Sequence, residues 1–170
     1  MLAALSTRRT GGPFISIVPE RSDKPSVVIV DVDSLPRVAL EHALYSLDVR
    51  PIRCVIDPES GLEVAGQLGQ ALHAIYLNPL AVSDSEKLIA FIEMVRKQWP
   101  HVVFVLFVSP ERWKDVVPQL PPAWRVRLSH YYRVDRNSGL ETLIDGVRAS
   151  LDGIRYYRAN SGIAGAPGPA

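Results

Sequence analysis

The sequence predicts an α/β domain built on a doubly wound sheet of five parallel strands. Two observations carry that prediction. Five short runs (26–32, 51–56, 74–78, 102–108 and 131–134) are apolar or β-branched nearly throughout, as strands buried on both faces are. Segments of helical period separate them and follow the last one. The run Ala74-Ile-Tyr-Leu-Asn78 stops at Asn78-Pro79 and takes the middle of the sheet. Ligands and reactive groups of open parallel sheets gather beyond the carboxyl ends of the strands. Asn78 stands at that place: it is polar, but it is neither a nucleophile nor a charged metal ligand.

Taken in order, residues 1–25 carry Gly11-Gly12-Pro13, Pro19 and Pro25 among charges and read as a flexible arm. Within it, Phe14-Ile-Ser-Ile-Val18 suits an extra edge strand or a docking segment. The first strand runs to Val32 and carries Asp31 near its end. Asp33-Ser34 offers an N-cap, with Pro36 in the first helical turn. The helix that follows, to about Leu47, has an apolar stripe of Val38, Leu40, Ala43, Leu44 and Leu47. Asp57-Pro58 ends the second strand. Ser60-Gly61 opens a second helix, with Leu62, Ala65, Leu68 and Leu72 on its apolar face.

After the middle strand, Asp84 or Ser85 caps a third helix, with Leu88, Ile89, Ile92, Val95 and Trp99 at helical spacing and Pro100 as its stop. The fourth strand closes at Ser109-Pro110. Glu111–Val117 suggests a short helix, and Pro118, Pro121 and Pro122 break the connection beyond it. Tyr131–Val134 is the fifth strand. Asn137-Ser138-Gly139 turns into an amphipathic last helix to about Tyr157. Leu140, Leu143, Ile144, Val147, Leu151 and Ile154 line one of its faces. Residues 159–170 form a Gly/Ala/Pro tail with nothing to bury. The domain therefore spans residues 26–158, and right-handed crossovers favour the strand order 2-1-3-4-5 of the flavodoxin-like kind.

Composition narrows the function. The chain has 170 residues, 47% of them hydrophobic and 22% charged, with a net charge of +1. A core is affordable, and no basic stripe of the kind that follows nucleic acid or an anionic membrane is present. No stretch approaches the roughly 18 apolar residues that span a bilayer. At the amino end, Met1-Leu-Ala-Ala-Leu5 precedes Arg8-Arg9, the reverse of a signal peptide. Cys54 is the one cysteine and reads as a small buried strand residue. No zinc spacing accompanies it, no cofactor is expected, and a reducing, cytoplasmic setting fits. His42, His73, His101 and His130 lie on four separate elements, with no partner at a catalytic spacing. Trp99, Trp113 and Trp124 suit core and rim packing.

The stretch from Val27 to about Tyr157 resembles the receiver domain of bacterial response regulators, in the order and spacing of its elements and in the residues at its strand ends. The resemblance implies an acidic pair after the first strand, a phosphoacceptor aspartate after the third, Thr/Ser after the fourth and lysine after the fifth. Acidic residues there hold Mg²⁺, which offsets charge on the transferring phosphoryl group. In this chain Asp31 matches one acid, Val32 stands where its neighbour belongs, and Asp33 is close by. Asn78 falls on the phosphoacceptor position, and an amide cannot form an acyl phosphate. Ser109 stands for the switch hydroxyl, followed by Pro110. No lysine ends the fifth strand; Val134 and Asp135 are there, with Arg133 and Arg136 nearby.

These departures resemble those of pseudo-receivers, which dock without aspartyl phosphorylation. The expected function is thus a non-catalytic signalling module that binds a protein partner or a second copy, with Asp31, Asp33, Asn78 and Ser109 as a degenerate phosphoacceptor site. Candidate docking residues are Arg148, Arg155, Tyr156 and Tyr157 on the last helix, Tyr131 on the fifth strand, and Trp113 and Trp124 in the Pro-rich connection. Plainer roles stand beside these: helix capping for Asp31 and Asp33, an Asx turn before Pro79 for Asn78, and a solvated helix face. A residual Mg²⁺ site from Asp31, Asp33 and Asp57 is one alternative. Another rests on Arg53-Cys-Val-Ile-Asp-Pro-Glu-Ser-Gly61 and the segment after it, which are similar to the middle of Toll/interleukin-1 receptor domains. That likeness implies an NAD-cleaving enzyme, with Glu86 as the candidate helix glutamate, or a scaffold.

Overall fold

The computed structural model describes residues 24–116, 118 and 132–160. Five strands form one sheet: β1 (Ser26–Val30), β2 (Ile52–Val55), β3 (Leu72–Leu77), β4 (Val103–Phe107) and β5 (Tyr132–Val134). All neighbours are parallel and the order is β2-β1-β3-β4-β5, as expected. The helices are α1 (Ser34–Ser46), α2 (Pro58–Leu68), α3 (Ser85–Gln98), α4 (Trp113–Val116) and α5 (Leu140–Asn160). Short 3-10 turns at Gly69–Ala71, Pro79–Ala81 and Pro110–Arg112 complete the described chain.

Alternate strand residues feed two cores, one on each face of the sheet. On one face Val28, Val30, Ile75, Leu77, Phe104 and Leu106 meet Leu88, Phe91, Ile92 and Val95 of α3. Phe91 and Phe104 pack edge to face, with centroids 6.1 Å apart. On the other face Val27, Ile29, Tyr76, Val105 and Phe107 meet Leu40 and Leu44 of α1 and Leu143, Val147, Leu151 and Ile154 of α5. Tyr76 brings a hydroxyl into this second core. It hydrogen-bonds Ser150 Oγ at 2.7 Å, and Ser150 in turn donates to the Val147 carbonyl at 2.7 Å. Ser150 gives its one hydroxyl proton to Val147, so Tyr76 is the donor to Ser150, and burial holds the phenol well above its ordinary pKa. Ser150→Ala strands that buried donor, and the expected cost is about 1–3 kcal/mol, read as a lower urea midpoint at unchanged slope.

Several boundaries differ from the sequence reading. Asp57 caps α2 by accepting from the Ser60 amide at 2.8 Å, so α2 starts at Pro58, ahead of Ser60. Gly69 ends α2 with φ +51°, a conformation that favours glycine, and Leu72 belongs to β3 instead of to α2. Val38 and Leu140 do not join their apolar stripes: both are exposed, Val38 on the side of α1 away from Leu40 and Leu47 and Leu140 at the first position of α5. The last helix runs to Asn160, two residues into the predicted tail. The Phe14–Val18 run, most of the arm, residues 161–170, Trp124, His130 and Tyr131 lie outside the described residues.

Cys54 is a further correction. β2 is an edge strand, and Cys54 is exposed on it instead of buried. Local desolvation of the thiol, with Glu41 beside it, still pushes its pKa up to about 11. Relative to its ordinary value, the thiolate at mildly alkaline pH is roughly 100-fold scarcer. Iodoacetamide is therefore expected to label native Cys54 far more slowly than the urea-unfolded chain, and comparable rates would refute the shift.

Candidate functional site

The carboxyl edge of the sheet holds the polar groups that the apolar strands do not. β1 ends into Asp31, β3 into Asn78 and β4 into Ser109, and all three are buried. The backbone sets their positions: the Asp31 amide continues the ladder to the Val55 carbonyl at 3.1 Å, and the Asn78 amide reaches the Val30 carbonyl at 3.0 Å. The structure thus brings three of the four predicted site residues to one edge, with Asp33 beside them.

The missing piece is Arg136. It lies two residues past β5, and its side chain turns back over the end of β1. Its Nε donates to Asp31 Oδ2 at 3.0 Å, and its terminal nitrogen donates to Asp31 Oδ1 at 3.3 Å and also to Asp33. Arg136 is only 18% exposed and Asp31 not at all, whereas Asp33 is 59% exposed. Burial opposes the charge on Arg136, but its bonds to Asp31 and Asp33 outweigh that and raise its pKa above the ordinary value. A bidentate guanidinium–carboxylate pair fixes direction as well as charge.

Asp31 is fully engaged. Besides Arg136, its Oδ1 accepts from Asn78 Nδ2 at 3.1 Å and from the Asp33 amide at 3.0 Å. Arg37 also donates to its backbone carbonyl at 2.8 Å. Asp33 sits at the N-cap position of α1, but its side chain caps nothing, contrary to the capping expectation, because Arg136 takes it. The Asx turn expected at Asn78 is present: its Oδ1 accepts from the Leu80 amide at 3.1 Å. One amide therefore does two jobs, closing the turn before α3 and bridging to Asp31. Ser109 is buried at the head of the Pro110–Arg112 turn without capping it through its hydroxyl.

A divalent cation does not fit this donor set. The oxygens of Asp31 already accept from a guanidinium, an amide side chain and a backbone N–H. Asp57, the third acid of the alternative site, is committed to capping α2 through Ser60, whose hydroxyl donates to Asp57 Oδ2 at 2.9 Å. Among the described residues no group of three or more His, Cys, Asp or Glu could hold a metal. Glu86 is exposed in the first turn of α3, where its amide donates to Asp84 at 2.9 Å.

The candidate docking residues are spread over two surfaces. Trp113 is half-buried against the core on the α3 face, and the Arg133 guanidinium lies 4.8 Å from its ring centroid. On α5, Arg148 pairs with Asp145 at 2.6 Å and Arg155 with Asp152 at 3.3 Å. Tyr156 is 72% exposed and Tyr157 is also exposed. Among the described residues no helix is long and apolar enough to cross a membrane.

Nothing in the sequence alone foretold that Arg136 would fill the acidic edge; an arginine in a polar turn reads as solvated. The one available signal was its place just after β5, two residues beyond where the receiver resemblance puts a lysine.

No protein-family model matches the chain, and no curated protein matches it. Solved structures do. The chain is similar to the receiver domain of NtrX from Brucella abortus at 17% identity and a TM-score of 0.55, over 74% of this chain and 98% of that one. It is similar to the chemotaxis response regulator CheY4 of Vibrio cholerae at 15% identity and a TM-score of 0.55, over 75% and 98% of the two chains. The signal receiver domain of an HD domain-containing protein from Pseudomonas fluorescens Pf-5 matches at 12% identity and a TM-score of 0.58, over 78% and 98%. At these identities the likeness is one of fold: the chain has the receiver fold.

Proposed function

We propose that this chain is a non-catalytic signalling module, a pseudo-receiver that acts by docking to a protein partner or to a second copy of itself. The observation that carries this reading is the seating of Arg136 on Asp31 and Asp33. In a phosphorylatable receiver a cation and an acceptor carboxylate occupy this edge. Here an internal guanidinium supplies the positive charge permanently, and Asn78 stands in place of the acceptor. An amide nitrogen that donates to Asp31 offers no carboxylate oxygen for phosphoryl transfer. The edge then serves to hold β1, β3 and β5 in one arrangement, and signalling falls to the outer surfaces. Arg148, Arg155, Tyr156 and Tyr157 on α5 form the docking face of this reading, since two aromatics and paired charges suit a polar-rimmed interface. The lone thiol suits a reducing, cytoplasmic setting. No observation at Glu86 favours the NAD-cleaving alternative.

The test is intact mass after incubation with acetyl phosphate and Mg²⁺. The expected spectrum carries no added phosphoryl group. A mass gain that disappears in Asp31→Ala or Asp33→Ala would place phosphotransfer on a neighbouring carboxylate and end this reading.

A further inference from the structure

The opposite, amino-terminal edge of the sheet carries a second polar cluster that the proposed function does not use. His73 is the second residue of β3, His101 precedes β4, and Arg158 lies in the last turn of α5, which runs back across the sheet to this edge. His101 is only 3% exposed, yet its Nε2 is buried without a hydrogen-bond partner. Arg158 is half-buried, and one of its terminal guanidinium nitrogens is likewise buried and unpartnered. His73 is held by its Nδ1, 2.6 Å from the Ala71 carbonyl, and the Ser26 amide approaches the same nitrogen at 3.3 Å. His101 lies beside the Leu72 backbone, next to the Ala71 carbonyl that holds His73. A buried, unpaired guanidinium nitrogen is costly, and both imidazoles lie within reach of the Arg158 charge.

We propose that His73, His101 and Arg158 form a binding site for a small oxyanion of the sulfate or phosphate class. Such an ion has acceptor oxygens for the two orphaned nitrogens and brings negative charge to three groups that no carboxylate serves among the described residues. Electrostatics supports the geometry. Burial lowers the basicity of both imidazoles, and the Arg158 charge lowers it further. Burial also lowers Arg158 itself. His73 additionally feels His101, and among the described residues no carboxylate contributes to any of the three. The sign follows. In the empty site the imidazoles stay neutral below their usual range. A bound anion favours their charged forms, so binding takes up protons and tightens as pH falls.

The test uses the full chain and sulfate, whose charge does not change over this range, followed by calorimetry and by amide NMR shifts at sodium chloride-matched ionic strength. Sulfate is expected to shift the amides of His73, His101 and Arg158. Its Kd should tighten about tenfold between roughly pH 7.5 and 5.5, the linkage of one proton taken up over about one unit. Arg158→Gln and His101→Gln should each weaken binding at least about tenfold, one charge-assisted bond being worth that much. Arg158→Gln removes a half-buried charge with an unpartnered nitrogen, so it should fold as well as the wild type at neutral pH, and Arg158→Lys should retain part of the affinity. Inorganic phosphate binding without adenosine monophosphate would mark a free ion; tighter binding of the nucleotide would mark a phosphate carried on a larger molecule. Sulfate shifts no larger than those of chloride, affinity independent of pH, or affinity unchanged in Arg158→Gln would each overturn the proposal.

Discussion

Arg136→Ala is expected to be among the most damaging single changes at the polar edge, lowering stability by about 3 kcal/mol and Tm by roughly 6–12 °C. The argument is one of desolvation. Asp31 has no exposed surface, and Arg136 neutralises it through two nitrogens at 3.0 and 3.3 Å. Without the guanidinium, a buried carboxylate keeps only the Asn78 amide and the Asp33 N–H as donors. Removing one partner of a buried pair costs far more than the pair's net worth, because the remaining charge is left uncompensated. Arg136→Lys should fall between the two, since one ammonium cannot reproduce the two-pronged contact. The double variant Asp31→Asn with Arg136→Ala should recover much of the loss, with urea unfolding as the readout. If Arg136→Ala unfolds at the wild-type midpoint, Arg136 is a surface side chain without a structural part.

Asn78→Asp is expected to destabilise the fold by about 2–4 kcal/mol at neutral pH, although it restores the residue type that the receiver resemblance leads one to expect. Asn78 Nδ2 donates to Asp31 Oδ1 at 3.1 Å. A carboxylate there replaces a hydrogen bond with the apposition of two negative oxygens in a buried place, with one guanidinium to serve both. The new carboxyl group is thereby held well above its ordinary pKa. A group whose folded-state pKa is raised binds its proton more tightly folded than unfolded. Its stabilising influence is therefore present at acid pH and is lost as pH rises through the folded value. The deficit relative to wild type should accordingly shrink from about pH 7 toward pH 4.5. A deficit that stays constant with pH would mean that the two oxygens do not meet.

The sheet was legible because its signal is redundant. Val27–Val30 of β1, Ala74–Leu77 of β3 and all of β4 are unbroken apolar runs, and α1, α3 and α5 each show helical spacing between turn residues. The order of strands then follows from the handedness of the crossovers. Edge detail was less legible. Cys54 reads like its apolar neighbours Val55 and Ile56, and only the position of β2 at the sheet edge exposes it. Leu72 continues the spacing of α2, and Gly69 at positive φ is what moves it into β3. The polar edge was half legible. Asp31, Asn78 and Ser109 sit at strand ends, where the fold itself points. The contact that decides the chemistry joins Asp31 to a residue 105 positions away, in the five-residue turn between β5 and α5, and no local pattern encodes that reach. His73 and His101 stayed apart in the sequence reading for the same reason: parallel pairing of β3 with β4 sets their strand starts side by side.

The most direct measurement is a magnesium titration of the wild type and Arg136→Ala side by side, followed by calorimetry and by Tm. If Arg136 stands in for a cation, the wild type takes up no Mg²⁺ at millimolar concentration. The variant, with Asp31 and Asp33 released, then binds it and regains part of its lost Tm. Saturable Mg²⁺ binding by the wild type, abolished by Asp31→Ala, would contradict the claim that this edge is closed by its own arginine.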